Sequence, residues 1–242
     1  IRDSSVTGVQ TCALPISDKI FSVAELVFFS GTMDSGKSTL ALQTHHNHSS
    51  AGRKGLVFTR KDRAGEATLS SRLGLQAKAI EVSPETNFLR LMTQALSRGE
   101  TVDYLICDEA QFYETDQIEQ LARVVDDFGI DVFTFGITTD FRTELFPGAQ
   151  RLLELADRVN ILQVEALCWC GKKATHQARI VNGVMVTQGE QVVVGDAGPN
   201  AKADEIIYEV LCRKHHMRKV TSKQAKQEHM SKSALPFEDN FG

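Results

Sequence analysis

The chain opens, after an irregular start, into short apolar runs separated by longer stretches of helical spacing. The apolar runs are Leu26-Val27-Phe28-Phe29-Ser30, Gly55-Leu56-Val57-Phe58-Thr59, Tyr104-Leu105-Ile106-Cys107 and Val132-Phe133-Thr134-Phe135-Gly136. Each has the length and composition of a buried strand. Residues 37–48 carry Leu40, Ala41 and Leu42 for one buried side of a helix. Residues 83–97 open with Ser83-Pro84-Glu85-Thr86 and supply Phe88, Leu89, Leu91, Met92 and Leu96 at helical positions. Residues 115–128 do the same with Ile118, Leu121, Val124 and Val125, and a further helix is predicted over 149–157. Residues 65–74 read as a loop, 77–82 as a short strand and 159–162 as a final one. Strands alternating with helices predict an α/β domain with a mainly parallel sheet and helices on both faces.

The pattern breaks at both ends. Residues 1–24 lack sustained periodicity and start without Met, and their apolar positions are too broken for a signal peptide. They are expected to be a disordered leader, of native or non-native origin. From Val164 the chain turns to short alternating runs, Ala178-Arg179-Ile180-Val181 and Gln191-Val192-Val193-Val194, with turns at Asn182-Gly183 and Gly195-Asp196. Asn-Gly between such runs signals a hairpin. Residues 221–242 are polar and read as a mobile tail. The expected organisation is a leader (1–24), a main α/β domain (25–163), a small β domain (164–220) and the tail.

The candidate chemistry follows the strands. Gly31-Thr32-Met33-Asp34-Ser35-Gly36-Lys37-Ser38 fits the phosphate-binding P-loop, and it lies between a predicted strand and a predicted helix, as that loop requires. Backbone N–H groups and the helix dipole there favour an anion, and Gly31 and Gly36 permit the turn. Lys37 would reach the β- and γ-phosphates, and the Ser38 hydroxyl would ligate Mg²⁺. The third apolar run ends in Asp108-Glu109. Asp108 is placed to hold Mg²⁺, and Glu109 to act as general base for an attacking hydroxyl or water. Cys107 reads as a small buried apolar residue.

Other features keep two readings. Arg60-Lys61-Asp62-Arg63 follows a strand end, where it is either a phosphate-holding cluster or a charged loop. Phe141 and Arg142 offer base stacking and phosphate neutralisation, or Phe141 is packed core. His45, His46 and His48 read as a solvated helix face rather than a metal site. Cys168, Cys170, Cys212 and His215, two pairs around a hairpin-bearing insert, suit a tetrahedral structural zinc, with His216 as an alternative to His215.

Composition narrows the function. The formal net charge is −4, which disfavours a non-specific nucleic-acid binder. No apolar run approaches the ~20 residues of a membrane span. Of 5 Cys, three cluster near the C-terminal end, which points to metal binding in a reducing cytosol rather than to disulfides.

Five segments together resemble the thymidine kinase family of the cytosolic, zinc-containing type. They are Phe29 through Thr39, Asp108-Glu109-Ala110-Gln111-Phe112, Gly136-Ile137-Thr138-Thr139-Asp140-Phe141-Arg142, Cys168-Trp169-Cys170-Gly171, and Tyr208-Glu209-Val210-Leu211-Cys212-Arg213-Lys214-His215. The similarity runs over residues 25–219. It implies a RecA-like P-loop domain and a zinc-bearing lasso domain that closes over the nucleoside. It also implies transfer of the ATP γ-phosphate to the 5′-hydroxyl of thymidine. By motif match, Gln111 joins the P-loop residues and Asp108 in holding ATP and Mg²⁺, Glu109 matches the base, and Arg63 matches an Arg near the reacting centre. Met33, Phe112 and Phe141 would line the thymine pocket, Tyr208 would contact the nucleoside, and the segment with Val192 and Val194 would bind the base through main chain. A homotetramer inhibited by dTTP is implied as well. A competing class is a P-loop ATPase that works on nucleic acid. It would share the loop and the acidic strand end but should also carry a basic strand-binding surface.

Overall fold

The structure is a computed structural model that describes residues 24–60, 68–191 and 206–226. The elements of the main domain, in order, are β1 (Leu26–Ser30), α1 (Lys37–Ser50), β2 (Gly55–Thr59), β3 (Thr68–Ser70), β4 (Gln76–Lys78) and β5 (Ile80–Glu81). They continue with α2 (Phe88–Ser97), β6 (Tyr104–Cys107), α3 (Thr115–Phe128), β7 (Asp131–Gly136), α4 (Pro147–Leu155) and β8 (Arg158–Ile161). Among the described residues, no helix is long and apolar enough to cross a membrane.

Six strands form one sheet in the order β5-β2-β6-β7-β1-β8. Every neighbouring pair is parallel. The centre strand β6 is buried along its whole length, as an unbroken apolar run covered on both faces must be. One face carries α1, whose Ala41 and Leu42 join Val57, Tyr104, Ile106 and Phe135. The other carries α2, α3 and α4, packed through Phe88, Met92, Ile118, Leu121 and Leu152 onto Phe28, Phe58, Leu105 and Val132. Because the strands are parallel, Ser30, Thr59, Cys107 and Gly136 end at one edge. That edge is where an open α/β sheet binds ligands.

Helix boundaries follow local capping. α3 opens with a capping box between Glu114 and Gln117, and Gly129 at φ 66° ends it. α2 starts at Phe88, five residues later than the apolar spacing suggests, because the Asn87 side chain caps it by accepting the Arg90 N–H at 2.8 Å. α4 starts at Pro147, two residues earlier than expected, since proline's fixed φ suits the first helical turn.

Three other expectations are corrected. Part of the stretch expected as a loop, 65–74, is strand β3, which pairs with β4 as an antiparallel hairpin with Leu69 buried. The single strand expected over 77–82 is two, β4 in that hairpin and β5 at the edge of the main sheet. The α1 histidines are not all a solvated face. His45 Nδ1 lies 2.9 Å from the Tyr104 hydroxyl, and His48 Nδ1 lies 2.8 Å from Arg53, which also pairs with Asp131 at 2.6 Å.

The small domain holds β9 (His176–Val181), β10 (Val184–Val186), β11 (Ile206–Leu211) and α5 (Arg213–Met217). The sheet is antiparallel in the order β10-β9-β11. Asn182 and Gly183 turn β9 into β10 with φ 50° and 83°, both positive as a tight hairpin turn of matching twist demands. The tail begins as part of this fold, since Thr221 and Ala225 are buried.

α4 comes unusually close to the turn at residues 110–112 that follows β6. A Cβ on Gly148 would lie 2.6 Å from the Ala110 carbonyl oxygen, 2.7 Å from that of Tyr113 and 2.9 Å from that of Gln111. Gly148→Ala should therefore destabilise the protein by about 1–3 kcal/mol in denaturant unfolding. Unchanged stability would show that the helix can shift away without cost.

Candidate active site

The first wall is the P-loop between β1 and α1. The Gly31 N–H donates to the Gly136 carbonyl at 3.2 Å, which seats the loop on the end of β7. A Cβ on Gly31 would fall 2.3 Å from Ser35 Oγ. Gly36 lies at φ 80° and Asp34 at φ 64°. Ser35 Oγ and Lys37 Nζ both donate to the Thr32 carbonyl, at 2.8 and 2.7 Å. The Lys37 ammonium is thus folded over the loop and largely buried. Burial lowers its pKa, and the nearby carboxylates Glu109 and Asp108 oppose that shift.

The second wall is the end of β6. Ser38 Oγ donates to Asp108 Oδ2 at 2.8 Å, which joins the first turn of α1 to the acidic strand end. Asp108 is 2% exposed, and its Oδ1 is buried with no hydrogen-bond partner among the described residues. Burial, and then the charge of Glu109, push its pKa up to about 7, against the Ser38 hydrogen bond and Lys37. A hydroxyl beside a buried carboxylate with an unpartnered oxygen is a donor set that fits a hard divalent cation such as Mg²⁺.

Glu109 follows with φ 51°, a left-handed conformation that a residue with a long side chain adopts at a cost of about 1–3 kcal/mol. Gln111 holds it. The Gln111 Nε2 donates to Glu109 Oε2, while its Oε1 accepts the Ile137 N–H at 3.2 Å. Gly136 leaves room for this bridge, since a Cβ there would meet Gln111 Oε1 at 2.7 Å. Gln111 therefore orients Glu109 against β7, a task that motif matching did not suggest.

Arg60 also supports this turn, donating to the Phe112 carbonyl and to Glu114. It is the one member of the 60–63 cluster within the described residues, and it has a structural partner. The predicted residues Arg63, Val192 and Val194 lie outside the described residues. No motif points to Arg72, which sits in the β3–β4 hairpin, a stretch that reads as loop from its residues alone. Arg72 pairs with the P-loop residue Asp34 at 2.6 Å.

The third wall is the loop after β7. Asp140 is buried and accepts the Arg142 and Glu144 N–H groups at 2.8 and 3.0 Å. The Arg142 guanidinium pairs with Asp140 at 2.8 Å and with Glu144 at 2.9 Å, so its charge is balanced within the loop. Phe141 is packed at 2% exposure with Arg179 over its ring. Tyr208, on β11, meets the same Arg179. Phe112 packs edge-on against Phe146 of this loop, and Met33 is half-buried in the P-loop.

The predicted metal ligands come together. The ligand atoms of Cys168, Cys170, Cys212 and His215 all lie within 4.8 Å of one another. His215 Nδ1 is 3.4 Å from Cys168 Sγ and 3.5 Å from Cys212 Sγ, and Cys170 Sγ is 4.0 Å from Cys212 Sγ. Tetrahedral zinc with Zn–S of about 2.3 Å would space its ligands by about 3.5–3.8 Å, so the cluster fits. Backbone N–H groups at the start of α5, that of His215 foremost, lower the Cys212 thiol pKa, whereas burial raises that of Cys168. Trp169 stacks on His215 with centroids 4.1 Å apart. His216 is not in the cluster, because its Nε2 faces the carbonyls of Phe141 and Gln177, each at 3.1 Å.

Fold and site together define a P-loop α/β protein with a Cys₃His domain appended. The sequence model of the thymidine kinase family matches residues 24–216. The chain is 62% identical over 212 residues to a thymidine kinase of Streptomyces avermitilis, covering 88% of this chain and 97% of the relative. It is 55% identical over 216 residues to one from Cutibacterium acnes, covering 89% and 98%, and 37% identical over 196 residues to one from Rhizobium etli, covering 80% and 93%. The chain belongs to the thymidine kinase family.

Two outcomes test this geometry. Asp108 binds its proton more tightly folded than unfolded, so without a divalent cation its ionisation opposes folding as pH rises from about 4 to about 7. Across that window wild-type melting temperature should fall relative to Asp108→Asn. Added Mg²⁺ at pH 8 should raise the melting temperature of wild type alone. Metal analysis should give about one zinc per chain, lost in Cys212→Ser together with cooperative unfolding of the small domain. Full zinc retention in that variant would rule the cluster out as the binding site.

Proposed function

We propose that this chain transfers the γ-phosphate of ATP to the 5′-hydroxyl of thymidine, giving dTMP and ADP. The observation that carries the reading is the Ser38–Asp108 contact with Glu109 held alongside by Gln111, in a member of this family. Phosphoryl transfer needs positioning and charge neutralisation more than covalent chemistry. The N–H groups of residues 31–38 would cradle the phosphates, and Lys37 would exchange the Thr32 carbonyl for phosphate oxygens. Ser38 and Asp108 would hold Mg²⁺, which when bound neutralises charge on the β- and γ-phosphates. Glu109 accepts the proton of the attacking 5′-hydroxyl. Its strained backbone and its tie to Gln111 keep that carboxylate aimed at one point.

Arg63 would add positive charge near the reacting centre. Met33, Phe112 and Phe141 would bound the thymine, Tyr208 would contact the nucleoside, and the stretch with Val192 and Val194 would meet the base. Zinc at Cys168, Cys170, Cys212 and His215 is structural in this reading, since the four protein donors complete a tetrahedron. A cytoplasmic homotetramer inhibited by dTTP completes the proposal. The net charge of −4 weighs against a motor that grips nucleic acid.

The test is ADP release from ATP and Mg²⁺ with and without thymidine, alongside deoxycytidine and single-stranded DNA. Release that depends on thymidine, with recovered dTMP, is the expected result. Release raised by DNA and indifferent to thymidine would replace this reading with the motor. Glu109→Gln should keep ATP binding and lose at least about 100-fold in kcat, the scale of a lost general base. Near-normal turnover would remove Glu109 from that role.

A further inference from the structure

Phe141 and Tyr208 come from separate parts of the chain, yet both meet one side chain. Arg179 lies on β9 and is 3% exposed. Its guanidinium carbon sits 3.9 Å from the centroid of the Phe141 ring and 5.5 Å from that of Tyr208. Its Nε donates to the Tyr208 hydroxyl at 2.9 Å. Its terminal nitrogens donate to the carbonyls of Glu190 at 2.8 Å and Gln191 at 3.0 Å. Gln191 in turn donates to the Leu145 carbonyl at 3.3 Å, in the loop that bears Phe141. A closed ring of contacts therefore runs from Phe141 through Arg179 and Gln191 back to Leu145.

Among the described residues, these partners are a phenol oxygen, two carbonyls and two ring faces, all neutral. Burying a cation among neutral groups is costly, and ordinary packing would be served as well by an apolar side chain. What Arg supplies that an apolar residue or Lys does not is a planar fork. It can stack on one ring and hydrogen-bond in its own plane to the hydroxyl of another. Such a group fixes the angle and spacing between two aromatic side chains on different elements.

We propose that Arg179 is the positioning residue of the nucleoside pocket. It fixes the Phe141 ring and the Tyr208 phenol relative to one another, and its own contacts lie on neither the P-loop nor the Asp108 strand end. The proposal rests on the thymidine kinase reading above. It predicts a selective defect, with affinity for the nucleoside lost and handling of ATP kept.

The experiment uses the full chain, with steady-state kinetics in thymidine and in ATP, zinc content and thermal melting. Arg179→Met should raise KM for thymidine about tenfold or more, the scale of a misplaced binding group, with KM for ATP within about twofold and zinc content unchanged. Tyr208→Phe, which keeps the ring and removes the acceptor, should shift thymidine KM less. Added to Arg179→Met, it should give less than the product of the two effects, because they act through one contact. A folded, zinc-replete Arg179→Met with wild-type thymidine KM overturns the proposal, as does a parallel rise in both KM values. If Arg179→Met does not fold, Arg179→Lys, which keeps charge and loses the fork, is judged by the same split. A wild-type chain that does not phosphorylate thymidine overturns both readings, whereas an active wild type with an indifferent variant overturns this one alone.

Discussion

A buried carboxylate at the end of the central strand sets the terms for the rest of the molecule. Asp108 sits where six parallel strands converge at their C-terminal ends, out of water and with one oxygen unpartnered. A charge there is tolerated only next to positive charge or strong donors. Ser38, Lys37 and the helix dipole of α1 supply part of that compensation, and all three come from the loop that would cradle phosphate. Placing a second carboxylate at Glu109 makes the balance worse and raises the proton affinity of Asp108. Ser38 holds the first of these carboxylates and the Gln111 bridge holds the second.

That bridge links distant choices of residue. Gln111 can reach both Glu109 and Ile137 only because position 136 has no side chain. The turn that carries Gln111 is pressed from behind by Gly148 and held from the side by Arg60. The acidic pair is thus supported by β2, β7 and α4 together. The small domain adds its own tie, since His216 reaches the Phe141 carbonyl from the helix that also provides His215.

Much of this was legible in the amino-acid order. The buried strands announced themselves because each is an apolar run bounded by turn residues, and the P-loop because its spacing is tied to backbone geometry. The Cys₃His set was legible for a similar reason, since three Cys and a His in spaced pairs around a hairpin match the ligand pattern of a tetrahedral zinc site. The β3–β4 hairpin was not, because Leu69 is the one large apolar residue its three-residue strand buries, too little for a period to show. The partnerships of Gln111 and Arg179 were also hidden. They depend on which strands lie side by side, and β9 pairs with β11 across a long intervening stretch. The α1 histidines misled for a related reason, as their neighbour Tyr104 is far away along the chain.

Those histidines also have a use. His45 and His48 pack near Arg53 and Asp131, at the end of the sheet where β6 and β7 begin, away from the edge that carries Asp108. Their imidazole resonances are therefore internal reporters on the far rim of the sheet. A change felt at those rings on adding a ligand at the opposite rim would have to travel the length of the strands, which makes them gauges of how rigidly the sheet transmits strain.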